Sequence, residues 1–209
     1  ERIELLGSIK QIYKAMTDVK LKGSFMSWLL FVSGWWLFES YMPVFLLQRF
    51  HFSTMQIGNV LSFNGALYAG FQYFIVQKVS RLIKPEGMIK YSGLIVSLSI
   101  ISLAFVSSIF ELYVAMSVFV MSMGFMIPGL ISYISSQANP SAQGQVMGMV
   151  NSIQAVSTVI VMLFGGYLNA LNHEFTIIGG GLLVLISWLV FLLMVNKKSQ
   201  SNFYVSDTQ

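Results

Sequence analysis

The chain contains no cysteine, which excludes disulfides, thiolate nucleophiles and cysteine-held metal sites. Charge is scarce as well: 10% of its 209 residues are charged, against about 25% in an average soluble domain. There are two histidines, His51 and His173, and both fall in predicted loops. No HExxH motif occurs, and no two carboxylates share an apolar segment. Serines are plentiful in the apolar segments, but none has a histidine at its depth to activate it. Enzyme chemistry is therefore not expected, and no motif calls for a cofactor or a metal.

What the chain has in excess is apolar surface. Hydrophobic residues make up 56% and the mean hydropathy is +0.72, which points to lipid as the solvent. Six segments are long and apolar enough to be read as membrane helices: Phe25–Leu47, Ile57–Gln77, Met88–Ile109, Leu112–Ser135, Val146–Leu171 and Phe175–Val195. Short connections make consecutive helices antiparallel neighbours. The expected fold class is all-α: a six-helix transmembrane bundle over residues 23–196, preceded by a cytoplasmic amphipathic helix within 1–22 and followed by a tail over 197–209.

Basic residues set the orientation. Arg2, Lys10, Lys14, Lys20, Lys22, Lys78, Arg81, Lys84, Lys90, Lys197 and Lys198 fall on one side, and Arg49 alone on the other. Both ends are thus expected in the cytoplasm, as an even number of spans requires. These basic residues track a membrane surface, so no nucleic-acid partner is expected. Before the first span, Leu5, Leu6, Ile9, Ile12, Tyr13, Met16 and Val19 recur at helical spacing, with Lys10, Lys14 and Lys20 off that stripe. This pattern suits a helix lying on anionic headgroups. The first charged segment is not a signal peptide, and the chain, which opens at Glu1, reads as a piece of a longer polypeptide.

Inside this apolar frame Glu39 stands out. A carboxylate near a helix centre costs about 2.5–3.5 kcal/mol on insertion scales. Such residues face a protein interior or a water-filled path and often mark a transport route. Desolvation disfavours the charged form, so Glu39 is a candidate proton carrier or a contact for a cationic substrate; the alternative is a protonated acid that fixes packing. Around it lie Ser33, Ser40, Trp35 and Trp36 in the first span, and Asn64, Tyr68 and Gln72 in the second. Tyr133 lies in the fourth, and Asn151, Gln154 and Thr158 in the fifth. Glu39, Gln72, Tyr68, Asn64, Trp36, Asn151 and Gln154 are the candidates for a polar cavity. Met126, in the cluster Met121, Met123, Gly124 and Met126 before Pro128, is the candidate for an apolar wall. Pro128 is expected to kink the fourth helix. Two small-residue faces, Gly58, Ser62, Ala66 and Gly70, and Gly144, Gly148 and Ser152, suit close helix approach, whether static or gating.

Phe38-Glu39 with Phe45-Leu46, then Ile57-Gly58, Gly65 and Gln72, resembles the seventh and eighth helices of major facilitator superfamily transporters. The likeness is nearest to the drug:proton antiporter branch that includes the tetracycline efflux proteins. Gln143-Gly144-Gln145-Val146-Met147-Gly148, with Ser152 and Gly165-Gly166, resembles that branch's loop into helix eleven and the helix itself. Val161-Met162 stand where members often have Gly-Pro. The loop after the second span keeps Lys78 and Arg81 of the basic signature but lacks its acidic residue and second glycine.

The resemblance implies the C-terminal six-helix half of a twelve-helix transporter. Its cavity would be lined by the first, second, fourth and fifth spans, with the third and sixth outside. It further implies alternating access and a proton gradient as the energy source. Implied partners are a small-molecule substrate, protons, the lipid bilayer and the N-terminal half of the same transporter; the expected location is a bacterial inner membrane. The leading expectation is proton-coupled efflux of a small organic or amphipathic compound. Proton-symport uptake of a nutrient and a transport-inactive six-helix scaffold stand as alternatives.

Overall fold

The computed structural model describes residues 19–206, in which six long helices follow one another without strands. They are α1 (Val19–Phe50), α2 (Thr54–Phe71), α3 (Pro85–Leu103), α4 (Ile109–Ser136), α5 (Gln143–Leu171) and α6 (His173–Ser206). A π-helical turn, Gln72–Val76, and a last α turn, Gln77–Val79, continue α2. The predicted amphipathic stretch falls on residues 1–18, outside the described part. α1 crosses the expected boundary at residue 22 without a break, and α6 runs through the segment assigned to the tail.

Among the described residues, five helices are long and apolar enough to cross a membrane: Leu21–Phe50, Pro85–Leu103, Ile109–Ser136, Gln143–Leu171 and His173–Asn196. α2 is not among them, although residues 54–79 are helical throughout the span read there. Its first part carries Gln56, Asn59 and Asn64, and this polarity lowers its affinity for lipid. The third span also needs correcting, because α3 ends at Leu103 rather than at Ile109. Ser108 takes extended backbone geometry and caps α4: its hydroxyl accepts from the Glu111 N–H, while the Glu111 carboxylate accepts from the Ser108 N–H. Such caps are worth about 1 kcal/mol, and one here obliges the chain to leave helical geometry before Ile109. Ser53 and Gln56 start α2 in the same way. His51, between α1 and α2, has a φ of 53°, a left-handed conformation that histidine tolerates better than most side chains.

α1 is the hub. Its most extensive contact is with α6, followed by α5, and it also meets α4 and α2. α3 packs on α4 and α6, whereas α2 lies mainly against α4. Small residues build the α1–α6 seam. A Cβ placed on Gly34 would lie 2.5 Å from the Gly180 carbonyl oxygen, and one on Gly180 would lie 2.8 Å from that of Gly34. About two turns away on each helix, buried Ser187 donates to the Ser27 carbonyl at 2.7 Å, with the two hydroxyls 3.1 Å apart. Indole and phenol groups tie α1 to α5: Trp28 donates to the Val150 carbonyl at 3.0 Å and Tyr41 to that of Met162 at 3.2 Å. At the end away from the basic loops, Arg49 pairs with Glu174 at 3.3 Å. Gln137, beyond α4, donates to Ser24 Oγ at 2.8 Å at the other end.

The glycine faces singled out from spacing behave differently. A Cβ at Gly58, Gly65, Gly70, Gly144 or Gly148 would meet nothing within 4 Å. Both faces turn away from the six-helix body, so within the described residues they bring no helices together.

Gly179 and Gly180 offer an internal comparison. Gly180→Ala should destabilise the fold by about 1–3 kcal/mol, the usual cost of overpacking. Gly179→Ala places its Cβ at an ordinary 3.5 Å from Leu37 and should be near neutral. Thermal unfolding of the two variants in detergent checks this; equal losses would contradict the tight seam.

Candidate functional site

Glu39 projects from α1 one turn after Trp35, whose indole N–H hydrogen-bonds its carboxylate. Both line a cavity of about 380 Å³ between α1, α2 and α4. α2 contributes Leu61, Asn64, Gly65 and Tyr68; their three- and four-residue spacing puts them on one helix face. α4 contributes Phe119, Val120, Met123 and Ile127. No Lys, Arg or His lines this space, and Glu39 is its one carboxylate.

A second, more open space of about 610 Å³ shares Tyr68 and Ile127 with the first, and so extends it into one trough. It runs past Gln72, Pro128 and Ile131 to Ser132, Ser135 and Ser136, ending at Gln143 and Met147 of α5. Pro128 lacks the N–H that would bond the Gly124 carbonyl, yet α4 is helical on both sides of it.

Two side chains in the trough are incompletely satisfied. Asn64 donates through Nδ2 to Met116 Sδ at 3.7 Å, leaving its Oδ1 buried without a partner. Gln72 Oε1 is likewise buried and unpartnered. Buried acceptors of this kind cost about 1–3 kcal/mol each unless a donor arrives. Together with Glu39, they place unsatisfied oxygens beside the apolar walls of the trough.

The other expected residues are distributed as follows. Asn151, Gln154 and Thr158 share a face of α5, as their spacing predicts, but line a separate open groove of about 370 Å³ with Ala155 and Val159. Trp36 lies outside the trough; its Nε1 is buried and unpartnered, and its neighbour Trp35 takes the cavity position. Met126 is fully buried and meets Ser92 of α3 at 3.6 Å, so Met123 and Ile127 form the apolar wall in its place. Tyr133 is buried against Phe191 of α6, ring centroids 5.0 Å apart, and does not line the trough. Among the glycines, Gly65 lines the cavity, while Gly58, Gly70, Gly144 and Gly148 do not. Sequence reading missed the row Ser132, Ser135 and Ser136 opposite Gln72. Its three- and four-residue spacing beyond Pro128 was the available signal.

Because the chain has no native thiol, single cysteines can report on the trough without background. Ile127→Cys and Leu61→Cys should react with a membrane-impermeant maleimide in an open conformation, whereas Met126→Cys should stay unlabelled. Equal labelling of all three would contradict the assigned helix face.

No curated protein matches the chain. The family model described as Major Facilitator Superfamily matches residues 4–162, which runs from before α1 to well within α5. That match, on an all-helical bundle with five membrane-capable helices and an internal polar trough, establishes that the chain belongs to the Major Facilitator Superfamily and is an integral membrane transport protein.

Proposed function

We propose that the chain is the C-terminal half of a proton-coupled exporter of the drug:proton antiporter kind, and that its substrate is a small amphipathic compound bearing a positive charge or N–H donors. The observation that carries this reading is the combination of Glu39, the one carboxylate in its cavity, with the unpartnered acceptors of Asn64 and Gln72. A cation with apolar faces supplies what these acceptors lack and fits walls of Trp35, Phe119, Met123 and Ile127.

Coupling follows from competition. An ionised Glu39 holds the cation; a proton arriving at the same carboxylate removes its charge and releases the substrate. One site then binds proton or substrate but not both, as antiport requires. Substrate binding should accordingly strengthen as pH rises through the Glu39 titration. The other groups lining that cavity offer no carboxylate or base to share the role, Tyr68 being the nearest ionisable side chain.

The opposing wall would come from an N-terminal six-helix half. The unoccupied faces of α2 (Gly58, Ser62, Ala66, Gly70) and α5 (Gly144, Gly148, Ser152) are where that half would pack, and Asn151 and Gln154 would face it. Residues 1–22 would be the end of the central cytoplasmic loop and 197–209 a cytoplasmic tail, in a bacterial inner membrane.

Glu39→Gln in the full transporter tests this. The variant should fold, bind an amphipathic cation roughly 10- to 100-fold more weakly, as loss of a charged hydrogen-bond partner predicts, and lose the pH dependence of that binding. In proteoliposomes, pH-driven substrate efflux should fall to background. Wild-type flux with unchanged pH dependence would assign Glu39 to packing alone. Flux directed with the proton gradient rather than against it would indicate symport.

A further inference from the structure

On the reverse side of the α2–α4 pair from the trough lies a second cavity, and we propose that it is a binding site for one acyl chain of an anionic phospholipid whose headgroup rests on the basic loop between α2 and α3. The cavity holds about 240 Å³ and is lined chiefly by Phe71, Ile83, Gly87, Tyr91, Ile95 and Phe125.

Its chemistry is that of hydrocarbon. The polar side chains in the lining, besides Tyr91, are Ser92 and Ser122, and both hydroxyls are already used: Ser92 donates to the Met88 carbonyl and Ser122 to that of Val118, each at 2.7 Å. Tyr91, at the open edge, carries the remaining hydroxyl, and the enclosed part of the groove is otherwise apolar. Ile83, Tyr91 and Ile95 are 42%, 68% and 44% exposed, so the groove opens outward between α3 and the end of α2. A second apolar groove continues from Ile95 along the same α3–α4 seam. From Gly87 to Ile95 α3 rises about 12 Å, close to the depth of one leaflet, about 15 Å.

Charge marks one end of this groove. Lys78 precedes the lining residue Val79, Arg81 and Lys84 flank Ile83, and Lys90 precedes Tyr91; all four are exposed. None of them forms an ion pair among the described residues. Glu86, the acid nearest in sequence, is half-buried and forms no ion pair with them among the described residues. Basic residues beside an apolar slot one leaflet deep complement a lipid that joins a phosphate to an acyl chain. Each such charge attracts anionic lipid at a membrane surface. Phe71, which adjoins Gln72 and stacks edge-on with Phe125 at a centroid distance of 5.3 Å, makes the groove the back wall of the trough.

Native mass spectrometry of the full transporter, titrated with dioleoyl phosphatidylglycerol, tests the site. One tightly held lipid is expected. Its retention should fall about tenfold in Gly87→Leu or Ile95→Trp, which fill the groove and leave every charge in place. It should fall about fivefold for each of Lys84→Gln and Arg81→Gln. Dioleoyl phosphatidylcholine should bind more weakly, and glycerol phosphate should not compete. Unchanged retention in both filling variants overturns the proposal and leaves a polybasic surface. Equal binding of phosphatidylcholine, or competition by glycerol phosphate, overturns it in favour of a purely apolar slot or a free phosphate site. Ile95 is partly exposed, so its variant keeps the test valid if Gly87→Leu fails to fold.

Discussion

The bundle depends on the approach of α1 to α6. Lipid gives helices no hydrophobic reason to associate, so their contact must come from dispersion and from polar groups that have no other partner. Gly34 and Gly180 let two backbones come together where any side chain would hold them apart. The mutual hydrogen bond of Ser27 and Ser187 then fixes the register at that short separation. With α1 held on one side, its remaining faces become available to α5 through Trp28 and Tyr41, and to the cavity through Trp35 and Glu39. Glu39 thus sits on the helix with the most extensive contacts in the bundle.

α2 is built on the opposite terms. It has the fewest apolar residues against its neighbours, a single buried side chain in its α-helical part, Val60, and the greatest share of the trough's amides. Polarity that serves a water-filled space weakens a helix as a membrane span, and this explains why it falls outside the five membrane-capable helices. Its contact with the bundle runs mainly through α4. The site therefore pairs a wall with extensive helix contacts, carrying the carboxyl group, with a wall of few contacts, carrying the amides.

Much of this was legible from residue patterns. Helix number, the antiparallel order and the polar face of Asn64, Tyr68 and Gln72 follow from composition and periodicity, because lipid forces regular structure and helical spacing fixes which residues align. The choice between Trp35 and Trp36 was not legible: adjacent residues point about 100° apart, and only the position of α4 decides which one meets the cavity. Met126 failed for the same reason, since α3 covers its face. Small residues say least about their own partners. A glycine every four positions shows that a face is flat, not that anything lies on it, whereas Gly34, in no such repeat, meets a backbone carbonyl directly.

The π-helical turn at Gln72–Val76 has a consequence of its own. One extra residue in a turn rotates everything after it by about 100° relative to a regular helix, and such turns are frequent at functional positions. α2 therefore carries two angular phases. Asn64, Tyr68 and Gln72 line the trough, while Phe71 and, after the turn, Val79 line the groove between α3 and α4, and Val76 is buried. A regular helix of the same sequence would present one stripe to one side. Across its π-helical turn, this one places side chains on both the trough and the groove, with Phe71 and Gln72 adjacent in sequence and turned to different sides.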